Sequence, residues 1–491
     1  MTKHLDIDTQ AMRAKILDLA IQGKLTDQRA EDGNAQDLLK DIQAEKEKLI
    51  KEQQIKKEKP LPEIEADEIP FEIPKNWMWA RWGTLSISIK YGYNTSAQKD
   101  GKIKMVRISD IQNNQVNWDS VPFCNIPKEE ITQYLLRKND ILFARTGGTV
   151  GKSYLVSEVP ENVVYAGYLI RTRYSEKLSP QYLKYFMESD LYWSQLKKGT
   201  TTTAQPNCNA KTLGKMVLPL PPLAEQKRIA DKVATLFAQL DAIDKAYEEY
   251  RELQQTMKAK LLDLAVQGKL TDQRAEDGNA RDLLKEIQAE KEKLIKEKKI
   301  KKEKPLPEIT EEEKPFDIPE NWMWVRLGEM ILNHIGGGTP DKSNEAYWNG
   351  DIPWMSVKDV HQDSMYADRT IDSITPAGLE NSSSNLIEAN RLIVVMRMAV
   401  GRAVINKLPV AINQDLRALF FRDNVTQEYI LRIFKILKFE TSGMTVKGIK
   451  LWVLLNTPIP LPPLAEQKRI VAKLDELLPL CNVPGVYSKE K

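Results

Sequence analysis

The chain has 491 residues, 42% hydrophobic and 29% charged, with 72 Lys and Arg against 69 Asp and Glu. That is enough chain for several domains with real cores, and a net charge of +3 is uninformative as a sum, so its distribution carries the information. No run approaches ~18 apolar residues and MTKHLDIDTQAMRAKIL has no signal-peptide core, which excludes a membrane span and points to the cytoplasm.

Residues 10–83 recur without gaps at 255–328, so LDLAIQGKLTDQRAEDGNAQDLLK returns as LDLAVQGKLTDQRAEDGNARDLLK. PLPPLAEQKRI at 219–229 returns at 460–470. The two offsets, 245 and 241, together account for 486 of the 491 residues. Head and tail therefore meet where a third copy would start, and the chain reads as a circularly permuted repeat with pseudo-two-fold symmetry. Between the repeated blocks lie two segments, 84–215 and 329–457, that barely resemble each other.

In chain order, Leu5, Met12, Ile16 and Leu19 form a short apolar seam that stops at Gly23. Asn34 caps a charged second helix over residues 35–59, with Leu38, Leu39, Ile42, Leu49 and Ile50 as a thin stripe and Pro60 as the stop. It is either a solvated rod laced with ion pairs or an arm that docks a partner, and residues 280–304 repeat it behind the cap Asn279. Trp77, Trp79 and Trp82 in IPKNWMWARWG anchor the globular segment that follows.

That segment mixes β-rich runs, KIKMVRISDI and VVYAGYLIRTRY, with the helical SPQYLKYFMESDLYWSQLKK. Its RTGGTVGKS, residues 145–153, imitates a phosphate-binding loop. It fails the spacing, because Gly147 to Gly151 is one residue short, Thr146 stands where glycine belongs, and the strand-like YLVSEV follows where a helix is needed. The matching MRMAVGRAV in the second segment keeps Gly401 but not the Lys-Ser, so a turn is retained and an NTPase is excluded.

From Ile229 a seam steps by four and three through Val233, Leu236, Leu240, Ile243, Tyr247, Tyr250, Gln254, Met257, Leu261 and Leu264, and ten of these eleven positions are apolar or aromatic. This predicts a helix of about 54 Å, stopped by Gly268. The matching seam is split between Ile470, Leu474, Leu477 and Cys481 at one end of the chain and Leu5 to Leu19 at the other, with Pro484 breaking the helix between them. An intramolecular antiparallel coiled coil fits the ring; a homodimeric coil between chains is the alternative. The second insert offers RLIVVMRM, RALFFR and TQEYILRIFKILK.

No catalytic chemistry emerges. His4, His334 and His361 are not at metal-ligand spacing, GGGTPD is no dinucleotide loop, and no Asn/Asp-Pro-Pro-aromatic motif is present. Cys124, Cys208 and Cys481 are unpaired and read as buried thiols. What remains is local charge. Residues 84–215 carry 18 Lys and Arg against 11 Asp and Glu, and residues 391–450 carry 11 against 4, an excess of seven in each. Such excess among Asn, Gln and Thr suits a nucleic-acid face.

IPKNWMWARWG, IPENWMWVRLG and the doubled PLPPLAEQKRI resemble the specificity subunits of type I restriction-modification systems, along essentially the whole chain. The resemblance implies a non-catalytic α+β protein. Two mixed α/β target recognition domains would be joined by long helices forming an intramolecular antiparallel coiled coil. Each domain would read one half of a split, asymmetric site on double-stranded DNA. The frame would bind two modification subunits, with restriction subunits as further partners. S-adenosylmethionine, ATP and Mg would belong to those partners. The implied organisation is a helical region over 1–70, recognition domain 1 over 71–218, a central helical region over 219–315, recognition domain 2 over 316–459, and a closing helix over 460–491. A coiled-coil adaptor with two protein-binding domains and no DNA role is the alternative.

Contact residues are chosen on chemistry alone. In the first domain these are Lys104, Arg107, Arg145, Lys152, Arg171, Lys197, Lys198, and the polar turn from Thr200 to Gln205. In the second they are Lys342, Lys358, Arg397, Arg402, Gln414, Arg417, Lys447 and Lys450. Glu225, Gln226, Lys227 and Arg228, with Glu466, Gln467, Lys468 and Arg469, open the seam helices; they serve either helix capping and hinge packing or contact with a partner subunit.

Overall fold

A computed structural model describes residues 7–199, 207–362, 364–437, 439 and 447–481. The chain divides into two units, Leu5–Tyr247 and Met1–His4 with Glu248–Lys491. Leu5, Pro484, Thr200 and Gln205 lie outside the described residues. Among those described, no helix is long and apolar enough to cross a membrane.

In the unit Leu5–Tyr247 the insert begins and ends as one two-stranded ribbon. Met78–Arg81 pairs antiparallel with Val217–Leu220, Met78 opposite Leu220 and Arg81 opposite Val217. Pro219 is tolerated in the returning strand because a two-stranded ribbon is all edge. Arg81 fixes this entry point by using all five of its N–H donors. They go to the carbonyls of Pro62, Glu63 and Lys215 and, twice, to the Glu68 carboxylate.

The insert itself is a four-stranded antiparallel sheet in the order Ser86–Tyr91, Leu169–Tyr174, Ile141–Ala144, Ser153–Leu155. A three-stranded sheet lies beside it, in which Ile103–Val106 pairs parallel to Val163–Tyr165. Trp77 and Trp82 are core residues together with Phe186, Tyr192, Ile229 and Val233.

The other unit repeats this plan with different strands. Met323–Arg326 pairs with Pro458–Leu461, and Arg326 repeats the five-donor arrangement of Arg81. The main sheet has five strands, ordered Asn333–Gly336, Leu416–Phe420, Leu392–Val395, Ala403–Asn406, Tyr366–Ala367. Trp322, Leu327, Tyr429, Ile470 and Leu474 belong to one core. The two inserts, unlike in sequence, share one more device: the hydroxyl of Tyr182 donates to the Pro219 carbonyl, and that of Tyr429 to the Pro460 carbonyl, at 2.7 and 3.0 Å. All three cysteines are free and buried.

The long helix runs from Leu223 to Val266, 44 residues, six residues earlier than the seam itself begins. Gly268 stops it at φ 68, with the Lys269 amide bonded back to the Leu264 carbonyl. The first helix, Thr9–Ile21, lies antiparallel to its beginning. Thr9 bonds Asp244 at 2.7 Å, Arg13 bonds Asp241 at 2.7 Å and lies over the Phe237 ring, and, past the helix end, Asp32 takes Arg228. Ile229, Val233 and Leu240 are buried in this stretch, whereas Tyr250 and Met257 further along the expected seam are exposed. The antiparallel pairing thus holds for the first part of the helix.

The charged second helices are shorter than expected. They are Ala35–Lys51 and Ala280–Lys296, capped as expected by Asn34 and Asn279. Each stops in a left-handed residue that is not glycine, Gln53 at φ 58 and Lys298 at φ 59, with the next amide bonded to Leu49 or Leu294. Neither is a free rod. Ile42 and Ile287 are buried, and Lys46 and Lys291 donate to the carbonyls of Gly83 and Gly328 at the foot of their own domains. Burial there lowers the pKa of Lys46.

Candidate nucleic-acid interface

The motif that closes each insert is turned inward. Glu225 is fully buried and its carboxylate accepts from the Trp77 indole at 2.7 Å, the Gln28 amide at 2.6 Å and the Thr26 hydroxyl at 3.2 Å. Glu466 does the same with Trp322, Gln273 and Thr271. Gln226 and Gln467 are also fully buried, their amides bonded to the carbonyls of Pro221 and Pro462. Arg228 and Arg469 grip Asp32 and Asp277, whose carboxyl pKa values are held low chiefly by those guanidiniums. Partner contact through Glu225, Gln226, Glu466 and Gln467 is therefore corrected to internal packing, because their side chains are enclosed by their own unit. Lys227 and Lys468 alone of the eight are exposed.

Each domain gathers comparable loops at one end of its main sheet. Leu169 opposes Ala144 in one unit as Leu416 opposes Val395 in the other. The turns before those strands, 166–168 and 413–415, therefore correspond, as do the loops 145–152 and 396–402. A third segment closes each group through the isolated bridges Thr146 to Asn207 and Arg397 to Gly448. The false phosphate loop is one of these loops. Gly147 and Gly151 hold left-handed turns at φ 75 and 91, and Ser153 opens a strand rather than a helix.

In the first domain Lys152 is exposed on this loop and shares a groove with Thr149, Trp193 and the tip of a small hairpin, Asn113 and Asn114. Both asparagines have positive φ, 50 and 57, as the tight turn between Ile111–Gln112 and Gln115–Val116 requires. Arg145 stacks on the Tyr91 ring at 4.6 Å, beside the exposed Tyr168. Lys197 and Lys198 are exposed at the end of the helix Asp190–Gly199.

Three expected contacts of this domain are used internally. Arg171 is buried and donates to the carbonyls of Leu135 and Gln133 at 2.8 and 3.2 Å, so it is corrected to a core residue. Burial lowers its pKa. Lys104 donates to the Trp118 carbonyl, and Arg107 is held by Asp110.

In the second domain Lys342, Lys358 and Gln414, all exposed, line one groove of about 460 Å³ together with Thr339 and Met398. Arg397 pairs with Asp415 at 2.6 Å on the groove's edge. Lys447 and Lys450 are exposed on the third segment. Arg402 is half-buried, and Arg417 is half-buried against His334 at 2.7 Å, with His334 in turn on Glu303 at 2.8 Å. Burial first, and then Arg417, lowers the pKa of His334. Sequence reasoning missed the Asn113–Asn114 hairpin, Tyr168 and Met398. The first had a signal in the adjacent asparagines of IQNNQV; the other two had none.

A family model described as the type I restriction modification DNA specificity domain matches residues 89–250 and again 319–482. The type I restriction enzyme EcoEI specificity subunit of Escherichia coli is 27% identical over 542 aligned residues, covering 96% of this chain and 89% of that one. The EcoAI specificity subunit, also of Escherichia coli, is 27% identical over 553 residues with the same coverage. A solved chain from work on complex assembly and conformational transition of the type I R-M system matches in fold, with a TM-score of 0.55 at 24% identity over 84% of this chain and 92% of that one.

Proposed function

Because the chain belongs to the type I restriction modification DNA specificity family, and is thus a non-catalytic specificity subunit, we propose that it selects a bipartite, asymmetric site on double-stranded DNA. Residues 71–218 read one half and residues 316–459 the other. The helical regions 1–70, 219–315 and 460–491 set the interval between the halves and bind two modification subunits, through which restriction subunits are recruited. S-adenosylmethionine, ATP and Mg act on those partner subunits.

The observation that supports this best is the pair of corresponding loop groups. The same turns, on the same strands, carry Arg145, Lys152 and Tyr168 in one domain and Arg397, Met398 and Gln414 in the other. One scaffold with unlike loop chemistry is what two readers of unlike sequences need, since side chains at groove edges specify and the scaffold positions. Linking both on one chain turns two weak half-site affinities into one useful affinity.

The test is to map methylated adenines in the host genome. A two-part motif with a constant gap is expected, and exchange of residues 84–215 for those of another family member should alter one part alone. A motif with no gap, or with a variable one, would refute it. Binding that fails to weaken steeply with added salt would favour the adaptor alternative instead.

A further inference from the structure

The loop 396–402 of the second domain contains a residue that its packing does not explain. At the position where the first domain has Gly147 at φ 75, this loop has Met398 at φ 70. The Ala399 amide donates to the Arg397 carbonyl at 2.9 Å, closing a three-residue turn around Met398 of the rare, strained γ type. The surrounding chain enforces it. Met398 donates from its amide to the Lys447 carbonyl at 2.9 Å, and the amides of Val395 and Met396 bond to the carbonyls of Arg402 and Asp415. Yet the residue so held is 61% exposed. A left-handed backbone at a residue other than glycine is unfavourable, and the bonds that enforce it leave most of Met398 uncovered.

The neighbours suggest what it meets. Met398 lines the same groove as Gln414, with Lys342 and Lys358 on the groove wall. Gln414 stands exposed on the turn 413–415, and its side-chain carbonyl oxygen takes a hydrogen bond from the Thr339 hydroxyl, which leaves the amide N–H donors unused by that contact. In the major groove an A·T pair shows adenine N7 and N6–H₂ on one base and a C5 methyl on the other. A glutamine amide matches the first by donating to N7 and accepting from N6. An apolar side chain held out on a rigid turn matches the second. A G·C pair lacks the methyl and shows two acceptors on guanine, which the amide cannot satisfy as a pair.

We propose that Met398 and Gln414 together read one A·T pair in the half-site of the second domain, Gln414 on the adenine edge and Met398 on the methyl of the same pair's thymine. This rests on the DNA-reading function above and names the base chemistry of that site. Lys342 and Lys358 supply phosphate contacts that position the groove without selecting sequence.

The test uses the full chain assembled with its modification subunits and duplexes bearing the mapped site. Each thymine of the half-site that survives exchange of residues 84–215 is replaced singly by deoxyuridine, which removes only the methyl. One replacement should weaken wild-type binding about fourfold, the worth of one buried methyl. It should leave Met398→Ala unaffected and still be felt by Met398→Leu, which keeps the apolar bulk and reports that the loop is intact. Replacing the adenine of that same pair by 7-deazaadenine should weaken the wild type about fivefold or more but not Gln414→Ala. Equal binding of every deoxyuridine duplex, a loss that persists undiminished in Met398→Ala, or methyl and N7 effects at different pairs would overturn the inference alone. No preference for the mapped site over scrambled duplex would overturn the DNA-reading function and this inference with it.

Discussion

The indole N–H of Trp77 and the carboxylate of Glu225 meet at 2.7 Å with Glu225 fully buried, although 148 residues separate them. One residue belongs to the motif that opens the first insert, the other to the motif that closes it. Trp322 and Glu466 repeat the contact at the same distance. The repeated motifs therefore act as two halves of a clasp. They let a divergent insert of well over a hundred residues leave and rejoin the frame at one fixed point, which is why the frame tolerates unlike inserts.

Loss of the clasp carboxylate should be costly. Glu225→Ala leaves the Trp77 indole, the Gln28 amide and the Thr26 hydroxyl without their acceptor in a site closed to water. The expected destabilisation of the unit Leu5–Tyr247 is about 3 kcal/mol. Hydrogen-exchange protection should fall across that unit and be retained in the other, and Glu466→Ala should give the converse. Uniform loss across both units, or none, would show that the clasp is not local.

Acid should loosen the ribbons at which the inserts begin. The Arg326 guanidinium and the Thr310 amide lower the Glu313 carboxyl pKa to about 2, and Glu68 is lowered in the same way by Arg81. A carboxyl with a lower pKa in the folded than in the unfolded chain favours folding while ionised. The contribution is complete above the ordinary carboxylate value of about 4.3 and is lost as pH falls toward the folded value. In denaturant titrations between pH 5 and 2, the wild type should therefore lose its advantage over Glu313→Gln progressively. A constant difference across that range would count against the linkage.

Two cations of the first domain should separate under mutation. Arg171→Ala removes a buried guanidinium that bonds two carbonyls, so folding should suffer before binding is tested. Lys152→Ala removes an exposed charge from a loop tip, and stability should change by less than about 0.5 kcal/mol. If Lys152 contacts phosphate, its loss should weaken binding to all duplexes alike and flatten the log–log salt slope by about 1. An unchanged slope would exclude that contact.

The contrast between Arg171 and Lys152 marks where sequence ceases to be legible. Periodicity and end signals carry well: the caps at Asn34 and Asn279, the stop at Gly268 and two of the three tryptophan anchors, Trp77 and Trp82, stand as expected, whereas Trp79 is only half-buried. These are local, set by backbone geometry and by which face is apolar. The charged helices end earlier than their sequence predicts because Gln53 and Lys298 adopt the left-handed stop that glycine usually supplies, and nothing in their identity announces it. Arg171 looked like a surface cation, but its strand is buried on both faces over Leu169–Thr172, where alternation gives no guidance. Glu225 packs internally, and sequence spacing could not show it, because its three bonding partners come from residues 26–77 and no spacing rule links them to it.

Met398 offers a last, independent check, because strain and function make opposite demands there. Its φ of 70 suits glycine, the residue found at the corresponding place in the first domain. A left-handed non-glycine residue costs about 1–3 kcal/mol, and glycine gives back part of that through its freer unfolded chain. Met398→Gly should therefore raise stability by about 1 kcal/mol, seen as a higher denaturant midpoint at unchanged slope. Met398→Ala keeps a Cβ in the strained turn and should gain nothing. Both variants lose the side chain and should bind the mapped site equally weakly. A Met398→Gly protein that is more stable and less selective would show that the strain is retained for recognition. One that is less stable would show instead that the side chain has a structural role in the fold.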